Sequence, residues 1–227
     1  MRLFKRLLLL ALLVLLGYQL WVLAWLLWWK SNPPAETHFM EIRLDELQEK
    51  NPQAKLQYQW VPYEKISANL KRAVVAAEDD KFMEHSGFDW EGIEYALKKN
   101  QRKGKKVAGG STITQQLAKN LFLSPSRSYL RKIEEAVITV MIESLWSKRR
   151  ILEVYLNVVE WGNGVFGAEA GARKQFGQSA AYLSEPQAAH MAVMLPSPRR
   201  FEKRFPAYVA EHARSVQERM RYSSIPR

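Results

Sequence analysis

Cysteine is absent from this chain. That excludes disulfides, cysteine-ligated zinc, iron–sulfur clusters and thiol nucleophiles, and says nothing of compartment. Histidine is scarce: His38, His85, His190 and His212 are the only four, and no two stand at metal-ligand spacing. No Gly-x4-Gly-Lys-Ser/Thr phosphate loop is present, and there is no internal repeat. Acidic residues are in the minority, 23 against 34 Lys and Arg, a formal charge of +11. Such an excess points to an anionic partner: nucleic acid, anionic lipid or a phosphorylated substrate. Low-complexity disorder is excluded by 47% hydrophobic and 11% aromatic residues. A length of 227 residues suggests one domain, or one domain with an appendage.

The apolar residues are unevenly placed. Leu7 to Trp29 is a run of 23 residues without a charge, interrupted only by Tyr18 and Gln19. A helix of that length crosses a hydrocarbon core of about 30 Å. A cleaved signal peptide would have a shorter apolar stretch and a small-residue cleavage site, whereas this run ends in Trp-Trp-Lys. Arg2, Lys5 and Arg6 precede it and Lys30 follows, which places the N-terminus in the cytoplasm and the rest outside. Trp21, Trp25, Trp28 and Trp29 gather at the far end, where an interfacial aromatic belt is expected. Residues 1–30 thus read as a cytoplasmic tip and membrane anchor. The outer part keeps a charge of +7, and the anchor puts it out of reach of nucleic acid.

Residues 31–55 read as a linker and membrane-proximal segment, opened by Pro33-Pro34. Residues 56–227 read as a mainly α-helical domain. Leu56–Trp60 alternates and is the one strand candidate. Helical periodicity marks 66–77, 133–145 and 151–159, and Ser184-Glu-Pro-Gln187 opens a helix running to Leu195. The stretch Ala136–Ile142 is apolar nearly all round, so its helix is expected to be buried. Lys98 to Lys106 holds six cations in nine residues and reads as a loop, either merely solvated or meeting anionic headgroups or a lipid-linked phosphate.

Three segments could carry chemistry. Glu78-Asp79-Asp80 ends an apolar helix and is followed by Phe82, His85 and Gly87. A carboxylate against Ala/Val surface has its pKa raised by desolvation, as a general base or acid requires; the plain alternative is a solvated acidic cluster. Gly109-Gly110 precede Ser111, Thr112, Thr114, Gln115, Gln116, Lys119 and Asn120. Glycines let a ligand approach the backbone and the polar groups supply hydrogen bonds, unless the segment is simply a capped helix start. Arg127, Arg131, Lys132 and Glu135 make either a phosphate pocket holding a carboxylate or a helix N-terminus offset by its Glu. His85 reads as a residue that orders the Glu78 loop.

Taken together, these segments resemble the peptidoglycan glycosyltransferases, bacterial cell-wall transglycosylases, over roughly residues 60–200. Glu78-Asp79-x-x-Phe82-x-x-His85-x-Gly87 looks like the first motif of that family and Gly110-Ser-Thr-Ile-Thr-Gln-Gln-Leu-x-Lys-Asn120 like the second. Arg127-x-x-x-Arg131-Lys132-x-x-Glu135 looks like the third and Lys148-x-x-Ile151-Leu-Glu-x-Tyr155-Leu-Asn157 like the fourth. Gly164-x-x-Gly167-x-x-x-Ala170 and Phe176-Gly177 look like the fifth, with Gln175 where the family often has Tyr; no role is assigned to Gln175. There is no Ser-x-x-Lys, the nucleophile motif of the larger members' transpeptidase domain, so the chain is similar to the monofunctional biosynthetic transglycosylases.

The resemblance implies a lysozyme-like helical glycosyltransferase domain over 56–227, behind its membrane helix. It implies polymerisation of lipid II into glycan strands, with inversion and release of polyprenyl diphosphate. Glu78 would be the general base. Glu135 would assist at the donor diphosphate, directly or through a divalent cation such as Mg or Mn. Ser111, Thr112, Gln115, Gln116, Lys119, Asn120, Arg127, Arg131 and Lys132 would bind substrate and diphosphate. Asp79, Phe82, His85 and Gly110 would support them. It further implies a single-pass protein of the bacterial plasma (inner) membrane with a periplasmic catalytic domain. Its partners would be lipid II, the nascent strand, membrane lipids, transpeptidases and other wall-synthesis or division proteins, and no nucleic acid. Two alternatives stand beside this: a lysozyme-like hydrolase, which has no use for cations clustered at a carboxylate, and a non-catalytic membrane-anchored scaffold.

Overall fold

The computed structural model describes residues 2–104, 109–126 and 128–227. Arg127, Lys105 and Lys106 lie outside the described residues. In chain order the elements are α1 (Arg2–Trp29), α2 (His38–Gln48), β1 (Gln57–Tyr58), a 3-10 turn at Tyr63–Lys65, α3 (Ala68–Glu78), α4 (Trp90–Lys103), α5 (Ile113–Phe122), α6 (Tyr129–Leu145), α7 (Lys148–Val158), β2 (Glu160–Gly162), β3 (Val165–Phe166), α8 (Ala168–Phe176), a 3-10 turn at Ala180–Tyr182, α9 (Glu185–Met194), α10 (Pro198–Lys203) and α11 (Ala207–Arg219). The architecture is mainly helical, as the periodicity predicted.

Local chemistry explains where the helices begin. Ser67, Asp89, Thr112, Ser128 and Ser147 each accept a hydrogen bond from a backbone N–H in the following turn, satisfying donors that a helix start leaves without partners. Thr112 and Gln115 do so reciprocally: Gln115 N donates to Thr112 Oγ1 at 3.2 Å and Thr112 N to Gln115 Oε1 at 3.1 Å. At Ser184 the backbone N–H donates to Gln187 Oε1 at 3.0 Å, and Pro186 sits in the first turn. Helix α4 ends at Gly104 in the left-handed region, φ 62°. The basic stretch from Lys98 is therefore helical as far as Lys103, rather than the loop expected. Cations in a last turn complement the helix dipole, and charge density alone does not report backbone shape.

The core lies where α3 packs on α9 and α9 on α11, and where α5 packs against α6 and α7. Leu70, Val74, Leu117, Ile138, Ile151, Tyr155 and Met191 are fully buried there. The strand candidate forms only at Gln57–Tyr58, which pairs in parallel with β3, while β2 pairs with β3 in antiparallel. The other two strands were not legible, because strands of three and two residues are too short to show a period of two. Helix α2 was likewise not foreseen; Phe39 and Met40 bury its first turn, and it packs on α5.

Helix α1 is long and apolar enough to cross a membrane, and only Val22, Leu26 and Trp29 along it are buried. Its C-terminal end is fastened to the domain. Trp146 Nε1 donates to Leu26 O at 2.8 Å, and the Arg150 guanidinium donates to Trp29 O and Asn32 O. Of these, Trp29 O is a carbonyl that the helix end leaves open, whereas Leu26 O also accepts from Lys30 N. Two expectations change here. Trp29 is buried, with its ring 5.4 Å from that of Phe122, so it docks the helix rather than joining an interfacial belt. Helix α6, along which α1 packs, is not buried all round: Leu130, Ile133, Val137 and Val140 are exposed, by 79%, 61%, 38% and 54%. Apolarity on every side shows only that a helix avoids water, and lipid meets that demand as well as a protein core does.

Candidate active site

Glu78 is the last residue of α3. Its side chain keeps some accessible surface yet is closely surrounded by protein. Burial pushes its pKa up, against the lowering effects of a hydrogen bond from Gln116 and the charge of Lys119; the neighbouring Asp79 adds to the rise. The bond runs from Gln116 Nε2 to Glu78 Oε2 at 2.7 Å. Asp79 points elsewhere. It is buried, with Oδ1 2.7 Å from His85 Nε2, and Oδ2 accepts from Ile113 N at 3.0 Å. His85 Nδ1 accepts from Gly87 N at 3.1 Å, so the ring spans the turn after α3, while Asp79 itself ties that turn to the first residue of α5. Phe82 is fully buried, under the ammonium of Lys148 at 4.6 Å from the ring centre.

The start of α5 is held by its neighbours. Thr112 Oγ1 donates to Gly87 O at 2.7 Å. Gly87 has φ +90°, and a Cβ there would lie 2.7 Å from Thr139 Cγ2, so only glycine fits. A Cβ on Gly110 would approach Ile93 Cα of α4 to 3.0 Å. The close approach at Gly110 is therefore to a packed helix. Thr112 and Gln115 are buried, their polar atoms engaged in the reciprocal cap. Asn120 Nδ2 donates to Gln116 O at 2.8 Å, and Ser111 is exposed, accepting from Lys132 Nζ at 3.2 Å.

Glu135 on α6 is 3% exposed and closely paired. Arg131 Nη1 donates to its Oε2 at 2.6 Å, and Lys132 Nζ donates to its Oε1. Arg131 Nε is buried without a partner among the described residues. Lys119, on α5, lies within electrostatic reach of both carboxylates. Burial lowers its pKa most, Glu135 and Glu78 raise it, and Arg131 and Lys132 lower it. The site thus has one carboxylate with a neutral hydrogen-bond partner, one clamped by two cations, and a lysine within electrostatic reach of both. Arg127 lies outside the described residues.

Glu135, the residue the resemblance offers to a divalent ion, has both oxygens engaged by cationic side chains, and among the described residues no three His, Cys, Asp or Glu side chains converge. An ion there would share Glu135 with Arg131 and Lys132 and take its other ligands from substrate phosphates and water.

Sequence reasoning passed over Glu143. Its Oε1 accepts from Thr114 Oγ1 at 2.6 Å and from Lys148 Nζ at 2.8 Å, joining α5, α6 and α7 behind the site. A carboxylate at the end of an apolar stretch was the available signal.

The transglycosylase family model matches residues 45–221. The chain is 63% identical over 209 residues, 92% of its length and 91% of the relative's, to a biosynthetic peptidoglycan transglycosylase of Aromatoleum aromaticum. It is 62% identical over 221 residues to the protein so named in an Azoarcus species, covering 97% of this chain and 96% of the relative. One from Methylobacillus flagellatus is 55% identical over 226 residues, 99% of each chain. With a family match over most of its length and relatives this similar from end to end, the chain belongs to the transglycosylase family, among the biosynthetic peptidoglycan transglycosylases.

Proposed function

We propose that this protein polymerises lipid II: a sugar hydroxyl of one molecule attacks the anomeric carbon of a strand held on its lipid diphosphate. The new C–O bond forms as the bond to the diphosphate breaks. The proton of the hydroxyl passes to Glu78, and the polyprenyl diphosphate leaves with the bonding electrons. A direct displacement inverts the centre, turning an α-linked diphosphate into a β-glycosidic link. The leaving group needs positive charge rather than a proton. The observation that carries the reading is the asymmetry of the two carboxylates: Glu78 is held by a neutral amide, while Glu135 gathers Arg131 and Lys132. The first suits a base. The second suits an organiser of cations for a diphosphate, with Lys119 and Arg127 adding charge and the bare Arg131 Nε–H offering a donor to a phosphate oxygen.

The same reading places α1 in the bacterial inner membrane, with its N-terminus cytoplasmic and the catalytic domain periplasmic. The exposed Leu130, Ile133, Val137 and Val140 on the helix beside α1 support it, since lipid would cover them. Transpeptidases and other wall-synthesis proteins are the expected partners.

The test is full-length protein in detergent with labelled lipid II. Glu78→Gln is expected to lower the polymerisation rate by about 10²–10⁴-fold or more. Polymer formed by that variant at the wild-type rate would end the assignment of the base, and soluble sugar released from finished wall in place of polymer from lipid II would favour a hydrolase.

A further inference from the structure

A hydroxyl, an amide and a carboxylate from three different helices stand in line. Tyr155 Oη on α7 donates to Gln116 Oε1 on α5 at 2.9 Å, and Gln116 Nε2 donates onward to Glu78 on α3 at 2.7 Å. Tyr155 has no exposed surface. Burial, together with the charges of Glu78 and Asp79, pushes its phenol well above the usual tyrosine range, so it is a neutral O–H donor.

A side-chain amide is two-ended, and its orientation is set by its neighbours. With its oxygen occupied by the Tyr155 hydroxyl, the Gln116 amide can present only N–H to Glu78. An ionised carboxylate accepts that bond. A protonated one gains less from it, because the carbonyl that could accept its proton faces away. The arrangement therefore favours the charged, proton-accepting form against the burial that opposes it. The other charged groups facing Glu78 among the described residues are Asp79, beside it on α3, and Lys119, on α5. Asp79 is itself engaged by His85 and the Ile113 N–H.

We infer that Tyr155 is a positioning residue for the base. Its hydroxyl fixes the Gln116 amide so that Glu78 is held ionised in one orientation. Gln116 then serves the carboxylate rather than the diphosphate. The inference rests on the reading of Glu78 as the base.

The test is the pH profile of kcat/KM for lipid II polymerisation by the full-length protein in detergent, for wild type, Tyr155→Phe, Gln116→Met and the double variant. Tyr155→Phe keeps the buried ring and removes only the hydroxyl. It is expected to lower kcat about 2- to 13-fold near neutral pH, the range set by one lost hydrogen bond, with little change in KM. Its acid limb should move to higher pH, since a carboxylate that loses support for its charged form takes up a proton sooner. Gln116→Met should move the limb at least as far, and the double variant no farther than Gln116→Met alone, because both act through one bond. An unmoved acid limb in Tyr155→Phe overturns the inference, whether its rate is wild-type or uniformly lower. Should Tyr155→Phe fail to fold, an unmoved limb in Gln116→Met overturns it equally. Glu78→Gln separates the two layers: if it keeps activity, the base assignment has failed; if it is inactive while Tyr155→Phe keeps the wild-type profile, only the role of Tyr155 has failed.

Discussion

Gln19, one of two polar interruptions in the N-terminal apolar helix, donates a 2.8 Å hydrogen bond to Glu134, the residue next to Glu135. The same helix sets Trp21 and Trp29 against Phe122 at the end of α5, with ring centres 5.8 and 5.4 Å apart. It thus touches both helices that carry the cationic half of the site. Gln19→Leu makes the helix more apolar, so insertion is retained, and leaves Glu134 without its partner. A loss of about 1 kcal/mol is expected, which lowers Tm by about 2–4 °C for a chain of this size. Thermal unfolding of the full-length protein in detergent checks this; an unchanged Tm would show that the contact adds nothing to the fold.

Glu135 clamps Arg131 and Lys132 without help from other acidic groups among the described residues, and the leaving diphosphate is read as meeting these cations directly. Treatment with a chelator is therefore expected to leave the rate of lipid II polymerisation within about 2-fold, against the tenfold-or-greater effects that loss of a catalytic metal's charge stabilisation would bring. A collapse of activity on chelation, restored by Mg or Mn, would instead give the metal a place in the reaction.

Arg131 supplies one hydrogen bond to Glu135 and keeps Nε free of any partner among the described residues. Arg131→Ala removes a cation and leaves a buried carboxylate short of one partner. Polymerisation is expected to fall about 100-fold, the scale for removing one preorganised donor at developing charge. Arg131→Lys should recover little, because an ammonium lacks the planar fork that bonds carboxylate and phosphate together. Full recovery by lysine would mean that charge alone is needed.

Burial raises the Glu78 pKa, so the acid limb of kcat/KM is expected to lie above the ordinary glutamate value of about 4.3. The sign for stability follows. A carboxyl whose folded pKa lies above its unfolded value contributes stability below the unfolded pKa, and that contribution is lost as pH rises through the folded value. At neutral pH the charged Glu78 therefore weighs against folding. Glu78→Gln is expected to be inactive and to unfold at a Tm no lower than that of wild type at pH 7, rising relative to wild type as pH increases from 4 to 7. A clearly lower Tm throughout would show the carboxylate to be a structural support.

Loss of the Glu143 carboxylate would leave both Thr114 Oγ1 and the Lys148 ammonium without an acceptor that joins α5, α6 and α7. Glu143→Ala is expected to destabilise the protein by about 3–5 kcal/mol, the cost of breaking a buried pair by deleting one partner. Denaturant unfolding measures it; a change below about 1 kcal/mol would show that solvent reaches Lys148 freely.

Helices α1, α3, α6, α7 and α9 were legible in the sequence because their causes are local. Ser184 announces its helix start by the residues within one turn of it, and the apolar period sets which face is covered. The candidate site was legible as segments: Glu78, the stretch from Gly110 to Asn120 and the group around Glu135 each stood out by unusual polar content. Their division of labour was not. Nothing in the order Thr112-Ile-Thr-Gln-Gln116 distinguishes Gln115, which caps its own helix, from Gln116, which holds Glu78. The difference arises because adjacent residues on a helix point about 100° apart, one toward the turn before and one toward α3 and α7.

By itself, then, the amino-acid sequence determined what depends on near neighbours and on composition. It set the anchor-length apolar helix, the helical class, the absence of thiol chemistry and the family. Tertiary structure decided what depends on partners far along the chain. Gln116 meets Glu78 across 38 residues, Tyr155 meets Gln116 across 39, and Gln19 meets Glu134 across 115. A carboxylate's charge state is set by burial and by the donors that reach it, and both are properties of packing. Two glutamates written alike in the chain are for that reason different groups in the protein, Glu78 with its pKa raised beside an amide and Glu135 closed between an arginine and a lysine.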